Sequence, residues 1–231
     1  MKQIRKHLEA LAAKKRKHYH PLIETIHKKH NLSRKTLFYI KEYGPHSHVA
    51  KTIIKESIWI LLLASLVSSL GGLALENIKT VFVSIIPLVV LLPALNDMFG
   101  DYGSIVSSRF STMLHKGEIN SKWWLNQELR KLFAQVLVIA VILAIVSAVV
   151  SLIITGFSDY EVSLTLALKI VSVVIIDAIL LVSILCITSV VAGIYFFKKK
   201  EDPNNFLIPI ATSIADFGNM VLLSLLVLLV F

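Results

Sequence analysis

The sequence predicts an all-α integral membrane protein, a bundle of five transmembrane helices. Of its 231 residues 55% are hydrophobic and only 17% are charged, well beyond the balance of a soluble domain. Apolar runs recur at lengths near the roughly 20 residues that cross a hydrocarbon core of ~30 Å. The charge is uneven: residues 1–55 carry 14 of the 24 Lys and Arg and 7 of the 8 His, against only Glu9, Glu24 and Glu42.

The first span is expected over 57–75, with Glu76-Asn77-Ile78-Lys79 as a turn into a second over 80–99, the two forming an antiparallel pair. The third covers 132–156, the fourth 162–197 and the fifth 206–231. The domain division is a basic, His-rich cytoplasmic tail over 1–52 and a transmembrane ion-permeation domain over 53–231. The N-terminus does not read as a cleavable signal peptide, because a long polar stretch precedes the first apolar run. Cys186 is the one cysteine, so no internal disulfide forms and its thiol says nothing about compartment.

The Lys and Arg bias of short loops sets orientation. The tail, the loop expected over 100–131 with Arg109, Lys116, Lys122, Arg130 and Lys131, and the segment Lys198-Lys199-Lys200 are basic and read as cytoplasmic. The segment 157–161 holds Asp159 and Glu161 without a base, and 76–79 holds one lysine, so these face outward. The N-terminus is then inside and Phe231 outside, in a multi-pass protein expected in the plasma membrane. Trp123, Trp124, Tyr195, Phe196 and Phe197 fall at inner span ends, as an aromatic belt would.

Ionisable groups within a bilayer cost several kcal/mol unless paired, hydrated or ion-bound, which makes them functional candidates. Asp216 lies ten residues into the fifth span, ~15 Å deep at ~1.5 Å per residue and so near the midplane. Pro209, Thr212, Asp216 and Asn219 share one face of that helix and give it a line of oxygen ligands. At the inner end of the second span Asp97, Asp101, Ser104 and Ser108 share a face, and Asn96, Gly100, Gly103 and Ser107 lie beside it. If that stripe borders a cavity, its carboxylates form an electronegative mouth; otherwise Asp97 and Asp101 are simply solvated at the surface.

Oxygen-only ligands select hard cations over thiolate-seeking metals. Magnesium surrenders its water reluctantly and is held by one or two carboxylates, so a sparse aspartate site suits it better than it suits calcium. Asp177, near the middle of the fourth span, either lines the pathway or pairs with Lys169 or a neighbouring hydroxyl. Two rival functions follow from the same carboxylates. An intramembrane aspartyl protease would use Asp177 and Asp216 as a proton-sharing pair; the contexts Ile176-Asp177-Ala178 and Ala215-Asp216-Phe217 do not match that class. A proton-coupled exporter of another divalent metal is the other.

Two stretches carry a family resemblance. Pro93-Ala-Leu-Asn96-Asp97-Met-Phe-Gly100-Asp101-Tyr-Gly-Ser-Ile-Val-Ser-Ser108-Arg-Phe-Ser-Thr-Met-Leu-His115 resembles the second-helix signature of the MgtE family of magnesium channels and transporters, especially its eukaryotic solute-carrier branch. Asp202-Pro203-Asn-Asn-Phe-Leu-Ile-Pro209-Ile-Ala-Thr212-Ser213-Ile-Ala-Asp216 resembles the signature entering that family's last helix. The resemblance spans 53–231 and implies a homodimer whose second and fifth helices, from both subunits, enclose a central pore with Asp216 as its aspartate. It implies no enzyme activity and no prosthetic group, with Mg2+ as the transported ion. The metal-contacting set expected on these grounds is Asp216, Asp97, Asp101, Thr212, Asn219 and Asn96. The chain departs from the family at Phe99-Gly100-Asp101, where Gly-Gly-Asn is common, and at Asp97, often glycine. Set beside the bacterial members, the sequence is expected to carry the basic tail in the place of their acidic and CBS regulatory domains.

In that tail Lys14-Lys15-Arg16-Lys17 and the apolar Ile4, Leu8, Leu11, Leu22 and Ile26 suit an amphipathic helix on anionic lipid, with about 1 kcal/mol of attraction per base near the surface. Membrane lipids and a divalent cation are the expected partners, and no nucleic acid is expected. The histidine pairs His18/His20, His27/His30 and His46/His48 form only a weak transition-metal signal, lacking cysteine or nearby carboxylates.

Overall fold

The computed structural model describes residues 49–119, 123–158, 160–199 and 203–231, and these form five α-helices and no strand. The helices are α1 (Val49–Ser84), α2 (Ile86–Lys116), α3 (Gln127–Gly156), α4 (Leu164–Lys198) and α5 (Pro203–Val230), with a 3-10 turn over Trp123–Leu125. Residues Trp59–Phe231 make one compact unit, and the packing below is that unit's. Residues 1–48 of the tail with its histidine pairs, and Lys122, Asp159, Lys200 and Asp202, lie outside the described residues.

The turn expected at 76–79 is not there: α1 continues through it to Ser84. Glu76 and Lys79 form an exposed ion pair one helical turn apart, and the Asn77 amide donates to the Leu73 carbonyl at 3.0 Å. Their polar groups are satisfied without leaving the helix. The break comes at Ile85, with φ −105° and ψ 77°, two residues before Pro87. Pro87 has no N–H for the Val83 carbonyl and its ring collides with that oxygen, so the helix cannot run on. The Tyr160 hydroxyl donates to the freed Ser84 carbonyl at 3.1 Å.

The loop expected over 100–131 is also largely helix. α2 continues to Lys116 and ends at Gly117 in the left-handed region, φ 74°, where Glu118 N–H donates to the Met113 carbonyl at 3.0 Å. That six-to-one bond is the Schellman closure, which a residue with a Cβ adopts only at a cost. Asn126 caps α3 by accepting from Leu129 N–H at 2.9 Å, and Ser163 caps α4 by accepting from Leu166 N–H at 3.1 Å. Proline at the first position opens α5, where a missing N–H costs nothing.

Among the described residues, Ser57–Ser84, α3, α4 and α5 are long and apolar enough to cross a membrane. α2 has the length, but its apolar first half gives way after Leu95 to Asn96, Asp97 and Asp101. α2, α4 and α5 pack against one another, and α3 packs against α2 and α4. The face α3 buries is a ladder of small residues, Ala140, Ala144, Ala148 and Ser151, which lets its backbone approach closely.

α1 and α2 both reach α5. Ser68 of α1 reaches Asp216, and Asn96 of α2 reaches Asn219, one turn further along α5. Between those two contacts the chain breaks at Ile85. From Trp59 onward α1 touches the bundle along one seam, with Gly71, Ile78 and Phe82 buried, and leaves Trp59, Leu62, Leu66, Leu70 and Leu73 exposed.

Candidate cation site

The seam between α2 and α5 is built from small and amide side chains. A Cβ on Gly103 would stand 3.0 Å from the Ala211 Cβ, and one on Gly100 would stand 3.7 Å from the Thr212 methyl. Further along, the Asn219 side-chain amide donates to the Asn96 side-chain oxygen. Sequence positions rise on α2 as they fall on α5, so the helices are antiparallel and Asn96, Gly100 and Gly103 share the contact face. That face continues into Ser107, which is fully buried and lies 3.1 Å, hydroxyl to hydroxyl, from Ser189 on α4.

The two faces read on α2 therefore separate as expected. Gly103 and Ser107 are buried and Asn96 and Gly100 half-buried, while Asp97, Asp101 and Ser108 are exposed and Ser104 is half-buried. Consecutive helix residues are ~100° apart, so Asp97 and Asp101 flank the seam beside Asn96 and Gly100. Neither carboxylate forms an ion pair among the described residues.

On α5, Asp216 is half-buried, and its Oδ2 accepts a hydrogen bond from the Ser68 hydroxyl at 2.9 Å. Thr212, one turn away, donates its hydroxyl proton to the Ile208 carbonyl at 2.9 Å and keeps its oxygen lone pairs. Asn219, one turn the other way, is fully buried, and its Oδ1 has no hydrogen-bond partner among the described residues. The structure thus joins Asn96 with Asn219 and places Thr212 against Gly100 on one seam, with Asp216 on the adjoining face and Asp97 and Asp101 on its flank. No group of three or more His, Cys, Asp or Glu side chains that could hold a metal occurs among the described residues. What remains is a sparse set of carboxylate, amide and hydroxyl oxygens, the chemistry of a hard, hydrated cation.

Asp177 stands apart from this set. It is fully buried on α4, and both its oxygens lack a hydrogen-bond partner among the described residues. Pairing with Lys169 is overturned, because the Lys169 ammonium donates to the Val230 carbonyl at 2.8 Å and lies 5.1 Å from the Phe231 ring centre. The hydroxyl partner is overturned as well. Asp177 and Asp216, the pair a protease would need, share no hydrogen bond: both Asp177 oxygens lack a partner among the described residues, and Asp216 Oδ2 takes its bond from Ser68.

Reasoning from sequence missed Ser68, whose partner lies 148 residues away. The available signal was Gly71, one turn on, a small residue on the same face of an apolar helix.

The family model for MgtE, described as a divalent cation transporter, matches residues 92–226, which contain all six candidate residues, the α2–α5 seam and all of α3 and α4. Neither a curated protein nor a solved structure matches the chain. With a match over more than half its length, resting on the same helices that bring the oxygen ligands together, the chain belongs to the MgtE family of divalent cation transporters.

Proposed function

We propose that this divalent cation transporter is a magnesium permease of the plasma membrane, working as a homodimer whose α2 and α5 helices from both subunits line the pathway. The observation that carries the reading is the Asn96–Asn219 bond, which fastens α2 to α5 one turn from a mid-depth carboxylate, Asp216. Two symmetry-related aspartates facing a common axis repel each other, and a divalent cation between them removes that repulsion. Asp216 is the central ligand, Thr212, Asn219 and Asn96 supply neutral oxygens to the ion or its retained water, and Asp97 and Asp101 draw cations to the cytoplasmic mouth. The basic segments, among them Arg109, Lys116, Arg130, Lys131 and Lys198, support a cytoplasmic N-terminus and an external Phe231. The chemistry is ion permeation without a covalent step.

Asp216→Asn tests the reading. The substitution preserves size and removes one negative charge per subunit. A unit charge pair at ~4 Å and an effective dielectric of ~20 is worth ~4 kcal/mol, and a divalent ion doubles each interaction. Purified Asp216→Asn protein in liposomes, loaded with a magnesium indicator, should show no magnesium flux while still assembling as wild type does. Flux at the wild-type rate would make Asp216 structural and defeat the proposal.

A further inference from the structure

Hydroxyl groups on these helices mostly spend their proton on their own backbone. Ser69, Ser84, Thr112, Ser172, Ser183, Thr188 and Thr212 each donate to a carbonyl three or four residues earlier, the default for Ser and Thr in a helix. Ser68 departs from that default and donates across to Asp216 Oδ2 at 2.9 Å. A second observation shows that the meeting is built. Gly71, one turn further on the same face of α1, is where that helix presses on α5: a Cβ there would stand 2.9 Å from Met220 Sδ and 3.1 Å from Phe217 Cα. Absence of a side chain at 71 brings the backbones together at the level of Asp216, and the short Ser68 side chain spans the remaining gap. The rest of α1 within the bundle is largely exposed, so this approach is not the by-product of a broad interface.

We propose that Ser68 is a positioning residue for the cation site, holding the Asp216 carboxylate in one rotamer and keeping Oδ2 engaged so that Oδ1 meets the ion or its water. This extends the reading of Asp216 as the central ligand and rests on it. α1 thereby joins α2 and α5 as a contributor to the site. Partners that orient a ligating carboxylate typically change metal affinity 10- to 100-fold when removed. For Ser68→Ala that predicts a rise of about tenfold in the magnesium concentration giving half-maximal flux, with a smaller change in maximal flux. Ser68→Thr keeps the donor and should restore the wild-type half-saturation.

The experiment measures magnesium flux into proteoliposomes against concentration for wild type, Ser68→Ala, Ser68→Thr and Asp216→Asn, with the calcium-to-magnesium flux ratio as a second readout. A shifted half-saturation and altered ratio in Ser68→Ala, reversed in Ser68→Thr, supports the inference. Wild-type half-saturation and ratio in Ser68→Ala, while Asp216→Asn is inactive, overturns the inference alone. Equal shifts in Ser68→Ala and Ser68→Thr make the effect one of packing and also overturn it. An Asp216→Asn protein as active as wild type overturns the underlying site and this inference together.

Discussion

Asn219 donates its side-chain amide to the side-chain oxygen of Asn96, joining α5 to α2 at the depth where Asp216 faces α1. Asn219 is fully buried, so the bond fixes which of its ends is turned toward Asn96 and leaves Oδ1 without a hydrogen-bond partner among the described residues.

Removing either asparagine should uncouple the two helices. Asn96→Ala and Asn219→Ala should each lower stability in detergent, and the double variant should cost less than the sum. The expected coupling is about 0.5–1.5 kcal/mol, the net worth of one buried hydrogen bond. Thermal unfolding of the four proteins measures it, and strictly additive losses would show that the bond is not an energetic link.

Asp216→Glu retains the charge and moves it outward by one methylene. On the proposed ligand role of Asp216, some magnesium flux should survive, with the preference among magnesium, manganese and calcium altered, because the substitution changes the reach of the carboxylate and keeps its charge. Competition flux assays read the change; a profile matching wild type in all three ions would contradict a ligand role for this side chain.

Asp97 and Asp101 are exposed, so on the proposed role they would draw cations through a field that salt screens over about 8–10 Å at physiological strength. Asp97→Asn and Asp101→Asn should reduce flux at low ionic strength and differ little from wild type in high monovalent salt. A defect that persists at high salt would place these carboxylates in direct contact with a dry ion.

Asp177 is a buried carboxylate with no hydrogen-bond partner among the described residues. Breaking a buried ion pair costs several kcal/mol, but Asp177 has no such pair among the described residues, so Asp177→Asn should leave thermal stability unchanged or raised. A large loss of stability would reveal a partner outside the described residues.

Gly193 on α4 accommodates Phe110 of α2. A Cβ at 193 would lie 2.7 and 2.8 Å from two ring carbons of Phe110, which is itself fully buried. The ring has no room to retreat, so Gly193→Ala should destabilise the protein by about 1–3 kcal/mol through overpacking. An unfolding midpoint equal to wild type would show that the α2–α4 contact yields more easily than its packing implies.

Much of this arrangement was readable from residue pattern. Apolar runs located five helices, and the pleat-free 3.6-residue period sorted Asn96, Gly103 and Ser107 from Asp97, Asp101 and Ser108 on α2 before any contact was known. Depth along the fifth run singled out Asp216. The misreadings have physical causes. Glu76, Asn77 and Lys79 resemble a turn by composition, yet their side chains satisfy one another and the backbone within the helix, while Pro87, the residue that does end it, sits inside an apolar run. The loop assigned to 100–131 rested on polarity, which marks where apolar surroundings stop and does not mark where a helix stops. Ser68–Asp216 and Asn96–Asn219 join residues 148 and 123 positions apart, and helical periodicity carries no information about which helix faces which.

The length of α4 bears on the lipid around it. Between Lys169 and Lys198 the only charged side chain is Asp177. At ~1.5 Å per residue that stretch is over ~40 Å long, against a hydrocarbon thickness of ~30 Å. A helix longer than the slab it crosses leans over or draws thicker lipid around itself, and mismatch costs a fraction of a kcal/mol per Å. α4 packs against α2, α3 and α5, so any lean is shared with the helices that carry Asn96 and Asp216. Acyl-chain length thus acts on the lean of α4 and, through its packing, on the helices set against it.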